Sequence, residues 1–167
     1  MEYKTVTLTF LRSELLYDIK NIGWIKGDAM SEEAQHAKHL IQDIGEDGNI
    51  DRVTRIMDLA FATCVELCYP FSKVDVEDET EKDDTLVESE SYVLNLRVPA
   101  SFSQTTVNVL LRYIHEFIIY TVLSDWLGLV YPEGKATWDE KSANAETEIK
   151  QSLNVRTRRV RRKQSPF

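Results

Sequence analysis

Residues 104–129 read QTTVNVLLRYIHEFIIYTVLSDWLGL. Their apolar side chains recur every three or four positions and cover a wide arc, which predicts a long helix packed on several sides. Ser101 and Gln104, which follow Pro99, have the spacing of a capping box and indicate where this helix begins. We therefore expect residues 104–129 to form the central helix of the fold.

Weaker helical patterns lie on both sides of this central helix. Three precede it, running from Ser13 to about Gly27, from Ser31 to Gly45 and from Asn49 to Pro70. Each begins near a residue with N-cap preference and ends near glycine or proline. After a turn at residues 131–134, which read YPEG, Thr137 and Glu140 have capping-box spacing and predict a last helix.

Two short segments have the alternating pattern of strands. Residues 5–10 alternate threonine with valine, leucine and phenylalanine, and residues 94–98 alternate apolar and polar side chains before Pro99. We expect these two segments to pair with each other. The chain is thus predicted to be mainly α, a helical bundle of four to five helices with a small two-stranded β-hairpin or sheet.

Length and composition favour one domain with a charged arm. The chain has 167 residues, of which 43% are hydrophobic, and this is enough to form a core. We predict a single helical-bundle domain over residues 1–154, with an acidic β-hairpin or loop at 72–98. Residues 155–167 are predicted to form a basic C-terminal arm.

Charge is distributed unevenly along the chain. The formal net charge is −8, and subtracting the six basic residues between Arg156 and Lys163 leaves −14 for the remainder, the body. The body is therefore expected to repel nucleic acid and anionic membranes. The acidic segment, residues 75–90, holds nine acidic residues against Lys82 alone. Such a composition predicts a solvated loop or a flexible hairpin tip.

The basic arm and the acidic segment are the predicted partner-binding regions. The residues expected to make these contacts are Arg156, Arg158, Arg159, Arg161, Arg162 and Lys163 in the arm and Asp75, Glu77, Asp78 and Glu79 in the acidic segment. Because the body is acidic, we expect the arm to contact acidic protein surface, within the chain or on a neighbouring copy. Binding to nucleic acid, an inert solubilising tail and a targeting signal remain alternatives.

The N-terminal stretch MEYKTVTLTF lacks the basic start and continuous apolar run of a secretory signal. Charged residues interrupt the apolar stretch of the central helix, so we expect no membrane span. Cys64 and Cys68 are predicted to be small core residues, as is usual in a reducing cytoplasm. These features together predict a soluble protein that is made in the cytoplasm.

His115 and Glu116 lie in YIHEF, residues 113–117. They match the first histidine and the glutamate of the zinc-protease pattern H-E-x-x-H, in which two histidines bind the metal and the glutamate activates water. The second histidine position is occupied by Ile119, so the pattern is incomplete. We expect His115 and Glu116 to be a polar interruption of a buried helix, hydrogen-bonded to the sheet or to a neighbouring subunit.

Other candidate site residues also favour structural roles. His36 and His39 would share a solvated helix face, and Asp125 is expected to bind backbone groups or a neighbouring arginine. Core or interface anchoring is expected of the three tryptophans, Trp24, Trp126 and Trp138. The sequence contains no glycine-rich phosphate loop and no nucleophile elbow. We therefore predict no catalytic residue, no cofactor and no metal.

Residues 113–162 combine a long helix ending in SDWL, the segment YPEGKATW, an alanine-containing helix and a basic tail. This arrangement resembles small uncharacterised virion-structural proteins of Bacteroides-group tailed phages and prophages. It is also similar in outline to head-to-tail connector (neck ring) proteins. The resemblance implies a non-enzymatic virion component that forms a homo-oligomeric ring. It further implies contacts with portal and tail proteins and synthesis in the host bacterial cytoplasm.

Two other classes of function remain open. A nucleic-acid-binding accessory protein would use its basic C-terminal tail on DNA or RNA. An enzyme with an unfamiliar site would need His115, Glu116 and Asp125 gathered in one pocket.

Overall fold

The computed structural model describes residues 2–69, 71–76 and 81–154. The strands are β1 (Tyr3–Leu11) and β2 (Ser91–Pro99), and the helices are α1 (Arg12–Asp28), α2 (Gln35–Gln42), α3 (Ile50–Leu67), α4 (Gln104–Val130) and α5 (Pro132–Asn154). Short 3₁₀ turns at Glu32–Ala34 and Asp43–Gly45 flank α2. Of the residues that the structure describes, 67% are helical, in five helices beside a two-stranded sheet, so the predicted mainly α fold class is confirmed.

The strands β1 and β2 pair in antiparallel orientation. Tyr3 lies opposite Pro99 and Leu11 lies opposite Ser91. The pairing expected from the two alternating segments is therefore confirmed. One face of the sheet packs into the core through Leu8, Phe10, Tyr92, Leu94, Leu96 and Val98. The other face carries the exposed threonines of β1.

Helix α4 is the centre of the bundle, as its sequence predicts. Leu110, Ile114 and Ile118 are completely buried, and α1, α3 and α5 pack around them. Ser103 occupies the N-cap position without a side-chain capping bond, so the capping box expected at Ser101 is wrong. The helix is long and apolar enough to cross a membrane, but half of its apolar window is buried inside the protein. Such burial is expected of a helix at the centre of a bundle.

Helix α5 packs along α4 and begins earlier than predicted. The rings of Trp138 and Tyr120 have their centroids 5.7 Å apart across this contact. The turn expected at residues 131–134 is wrong because Pro132 already belongs to α5, where its missing N–H costs no hydrogen bond. Gly134 allows the ring of Tyr131 to pack closely, since a Cβ at this position would lie 2.7 Å from Cδ1 of Tyr131.

Helix α1 follows β1 without a connecting loop. The N–H of Arg12 donates to the carbonyl of Glu90 at 3.0 Å, so the first helical residue also extends the sheet ladder. The helix therefore begins before Ser13, and the capping role predicted for Ser13 is wrong. Helix α2 approaches α1 closely at Gly27, where a Cβ would lie 3.0 Å from the carbonyl oxygen of Lys38.

The acidic segment has no regular secondary structure where it is described. Residues 73–76 and 81–89 are irregular, and the partner of β2 is β1. The carbonyl of Phe71 lies at the other edge of β2 and accepts a hydrogen bond from the N–H of Arg97 at 2.8 Å. Of the hairpin and loop alternatives for residues 72–98, the described residues therefore form a loop followed by a strand.

Candidate functional site

Most of the predicted partner-binding residues lie outside the described part of the chain. These are Arg156, Arg158, Arg159, Arg161, Arg162 and Lys163 of the basic arm and Glu77, Asp78 and Glu79 of the acidic segment. Asp75 is described, and its side chain is exposed in irregular chain. The partner contacts proposed for these residues stay predictions.

Two described carboxylates of the acidic segment, those of Asp84 and Glu88, contact the body of the protein. Asp84 lies 3.3 Å from the guanidinium of Arg55 on α3, and Glu88 lies 3.3 Å from that of Arg12 at the start of α1. Both carboxylates are exposed, so each ion pair adds little stability. The two pairs show which side of the body the described part of the segment follows.

Arg12 has a role that the sequence did not indicate. Its guanidinium donates to the hydroxyl of Thr54 at 2.8 Å as well as contacting Glu88. Its Nε is buried and has no hydrogen-bond partner among the described residues. Arg12 thus links the junction of β1 and α1 to α3 and to the acidic segment. These partners are 42 and 76 residues away in sequence, beyond the range of any local pattern.

His115 is hydrogen-bonded to helix α1 rather than to the sheet. Its Nε2 lies 2.7 Å from Oδ2 of Asp18. The pair lies in a groove of about 490 Å³, the His115 groove, between β1, α1 and α4. The groove is lined by Thr9, Phe10, Leu11, Glu14, Asp18, Leu111, Arg112, His115 and Glu116. The predicted polar interruption of a buried helix is therefore present, and its bonding partner is Asp18.

Asp125 lies away from this groove and binds an arginine. Both of its carboxylate oxygens accept hydrogen bonds from Arg52 on α3, at distances of 2.8 to 3.1 Å. The arginine contact expected for Asp125 is thus found. Asp125 and His115 are ten residues apart on α4, about 15 Å along the helix axis. The structure does not bring His115, Glu116 and Asp125 together in one pocket.

The other histidines also lack the surroundings of a metal site. His36 and His39 are exposed on α2, which fits the solvated face expected for them. No group of three or more His, Cys, Asp or Glu side chains converges within the described ranges. Cys64 and Cys68 are buried in the core, where burial raises the pKa of both thiols, that of Cys68 to about 12. Thiols with such pKa values are poor nucleophiles at neutral pH.

The three tryptophans divide between core and surface. Trp126 and Trp138 are buried, and the indole N–H of Trp126 donates to the carbonyl of Leu40 at 3.0 Å. Trp24 is 61% exposed on α1, and Tyr17, two turns earlier on the same face, is 66% exposed. Solvent-exposed aromatic rings of this size are common anchors of protein interfaces.

Trp24 and Tyr17 line a second depression, the aromatic groove, of about 550 Å³ between α1 and the end of α2. The groove is lined by Tyr17, Lys20, Asn21, Trp24, His39, Gln42, Asp43, Gly45 and Glu46. It therefore combines two aromatic rings and two carboxylates with the side chains of Lys20 and His39. The outward position of Tyr17 and Trp24, off the apolar stripe of α1, was the signal in the sequence for this surface.

No protein-family model, no curated protein and no solved structure matches the chain. The aromatic groove, the His115 groove and the charged segments are therefore interpreted from their own chemistry.

Proposed function

We propose that the chain is a non-enzymatic structural subunit of a tailed-phage virion, namely a head–tail connector or neck-ring subunit. The observation that carries the proposal is the aromatic groove, where Tyr17 and Trp24 are exposed beside Asp43 and Glu46. This groove is suited to bind the arginine-rich arm of a neighbouring copy. The virion setting rests on the resemblance of residues 113–162.

The aromatic groove and the basic arm are chemically complementary. Arginine stacks on the faces of tryptophan and tyrosine, and its planar guanidinium pairs with carboxylates. The arm supplies six basic residues between Arg156 and Lys163, and the body around the groove carries a net charge of −14 once those six are subtracted from −8. Several weak contacts along the arm would add to a useful affinity.

An arm that binds the groove of a neighbouring copy makes a heterologous contact, because the two copies use different surfaces. Repetition of a heterologous contact gives a ring when the rotation between neighbours closes. A subunit of this kind needs no catalytic site, and its specificity comes from the anchor residues in the groove.

The arm contact can be tested with a peptide of residues 155–167 and a chain truncated after Asn154. We expect calorimetry to detect binding, and we expect Trp24→Ala to weaken it by about tenfold or more because the stacking ring is lost. Tyr69→Ala is the matched control, since Tyr69 is 58% exposed but lies outside the groove. If the peptide binds the truncated chain with the same affinity whether residue 24 is tryptophan or alanine, the arm contact is refuted.

The ring itself is tested with the full chain. Electron microscopy should show rings, alone or on portal and tail proteins, and both Trp24→Ala and deletion of residues 155–167 should reduce them. A full chain that forms no rings and binds neither portal nor tail proteins contradicts the proposed function.

A further inference from the structure

Within residues 2–69, 71–76 and 81–154, no strand pairs with the outer edge of β1. The N–H of Arg12 donates to the carbonyl of Glu90 at 3.0 Å, and the N–H of Ala100 donates to the carbonyl of Glu2 at 2.9 Å. The even-numbered residues of β1 therefore exchange backbone hydrogen bonds with β2. The backbone groups of the odd-numbered residues therefore point away from β2. Among the described residues, the N–H groups of Thr5, Thr7 and Thr9 donate to no backbone carbonyl.

This edge lacks the features that usually prevent strands from pairing. β1 is a regular strand of nine residues, YKTVTLTFL, without proline, glycine or a bulge. Its single charged residue is Lys4, and the side chains of Thr5, Thr7 and Thr9 are exposed. A long and regular open edge of this kind pairs readily with another strand.

We propose that β1 pairs in antiparallel orientation with β1 of a second copy, about a two-fold axis at Thr7, to form a dimer with a four-stranded sheet. In this register Thr7 faces Thr7 of the second copy, Thr5 faces its Thr9 and Tyr3 faces its Leu11. Cross-strand threonine pairs are favourable, and no two like charges face each other within the strands. The register also uses the full length of β1.

Charge complementarity selects a second copy as the occupant of this edge. In the proposed register Lys4 of the second copy lies beside Phe10, on the inner face of the sheet. Phe10 lines the His115 groove, whose wall also holds three carboxylates, those of Glu14, Asp18 and Glu116, against one guanidinium, that of Arg112. Asp18 is already bonded to His115, which leaves Glu14 and Glu116 as the nearer partners for an added cation. The ammonium group of Lys4 donates to the carbonyl of Phe102 of its own chain at 3.2 Å, and in the dimer it would lie beside a groove with more carboxylates than cations. The two-fold axis repeats this contact, so the interface has two such ion-pairing positions.

The dimer does not depend on the proposed function. A two-fold contact closes on itself, whereas a ring needs a heterologous contact. The dimer is accordingly a separate association through the open edge of β1, and it does not require the arm contact that forms the ring. It uses β1 and the His115 groove, and the arm contact uses the aromatic groove, so Trp24→Ala is expected to leave the dimer intact.

The edge is tested by Thr7→Pro in the full chain, with sedimentation velocity over a dilution series. Because the N–H of Thr7 points away from β2, proline removes no backbone hydrogen bond between β1 and β2 but blocks the added strand, and we expect the dimer Kd to rise about tenfold or more. Thr7→Val is the matched control. Both variants lose the bond from Thr7 Oγ1 to Asn95 at 2.8 Å, but valine keeps the N–H, so its dimer should persist.

The predicted contact between Lys4 and the His115 groove is tested by two charge reversals, Lys4→Glu and Glu14→Lys. Each variant alone should be monomeric, because like charges then meet at both ends of the two-fold interface. An equimolar mixture should form a heterodimer, because each new charge then faces its opposite. Circular dichroism of each variant shows whether the monomer is folded, and recovery in the mixture is a readout that an unfolded chain cannot give.

Three results would overturn the dimer. These are an unmodified chain that stays monomeric throughout the dilution series, a dimer whose Kd is unchanged in Thr7→Pro, and charge-reversed variants that fail to associate when mixed. None of them affects the binding of the arm peptide to the aromatic groove. Failure of the dimer is thereby separated from failure of the proposed function.

Discussion

The hydroxyl group of Tyr92 donates a hydrogen bond to Oδ1 of Asp58 at 2.6 Å and so joins β2 to α3. The ring of Tyr92 also packs against Phe61, with centroids 5.1 Å apart. The bond has a charged acceptor and is partly buried, which places it among the stronger hydrogen bonds of a protein. The two-stranded sheet is therefore attached to the bundle by a specific polar contact as well as by its apolar face.

Replacement of Tyr92 by phenylalanine should lower the free energy of unfolding by about 1.5–3 kcal/mol, the usual contribution of a hydrogen bond to a charged group. The variant keeps the ring and its packing, so the loss reports the hydroxyl alone. Urea unfolding followed by circular dichroism measures the change. Tyr69→Phe, at an exposed tyrosine, should have no effect. Equal losses in both variants would mean that the bond to Asp58 does not stabilise the fold.

The same pair predicts a dependence of stability on pH. Burial raises the pKa of the Tyr92 hydroxyl, and the hydrogen bond to Asp58 and the charge of Asp58 raise it further. A raised pKa in the folded state means that this contribution is fully present below about pH 10, where unfolded tyrosine is still protonated. It is lost as the pH rises above that value towards the folded pKa. The stability difference between the unmodified chain and Tyr92→Phe should therefore be constant at neutral pH and shrink above about pH 10.

The elements of this fold could be predicted from the sequence because their patterns are local. The period of two in residues 5–10 and 94–98 identified both strands, and the period of three to four in residues 104–129 identified α4. The start of α5 was missed because Pro132 and Gly134 are typical of turns. Here proline is the first helical residue, and glycine allows close contact with the ring of Tyr131.

The contacts between distant residues could not be predicted, because they depend on which helix faces lie together in space. Asp18 and His115 are 97 positions apart, and no periodicity relates them. The contact predicted between the basic arm and the acidic segment stays a prediction, and two described carboxylates of the segment, Asp84 and Glu88, contact Arg55 and Arg12. Charge complementarity indicates that a pairing is favourable but does not identify which cations the fold places nearby.

The ion pair of Arg52 and Asp125 should be a structural contact of modest strength. Its two side chains are partly exposed, so a double-mutant cycle with Arg52→Ala and Asp125→Ala should give a coupling of about 0.5–1 kcal/mol. The bidentate geometry sets the value at the upper end for exposed pairs. A matched cycle on Arg55 and Asp84 should show no measurable coupling, because Asp84 is fully exposed. A loss of several kcal/mol from Asp125→Ala alone would instead indicate that Asp125 has further partners.

Binding of DNA, the alternative function, should depend on the basic arm alone. Six basic residues give a slope of up to about −5 when the logarithm of the binding constant is plotted against the logarithm of the salt concentration. A chain truncated after Asn154 should not bind duplex DNA, because the remaining body carries −14 once the arm's six charges are subtracted from −8. Fluorescence anisotropy of a labelled duplex at several salt concentrations measures both quantities. For the proposed assembly subunit we expect weak binding that disappears at physiological salt, whereas tight binding that survives there would favour the nucleic-acid accessory function.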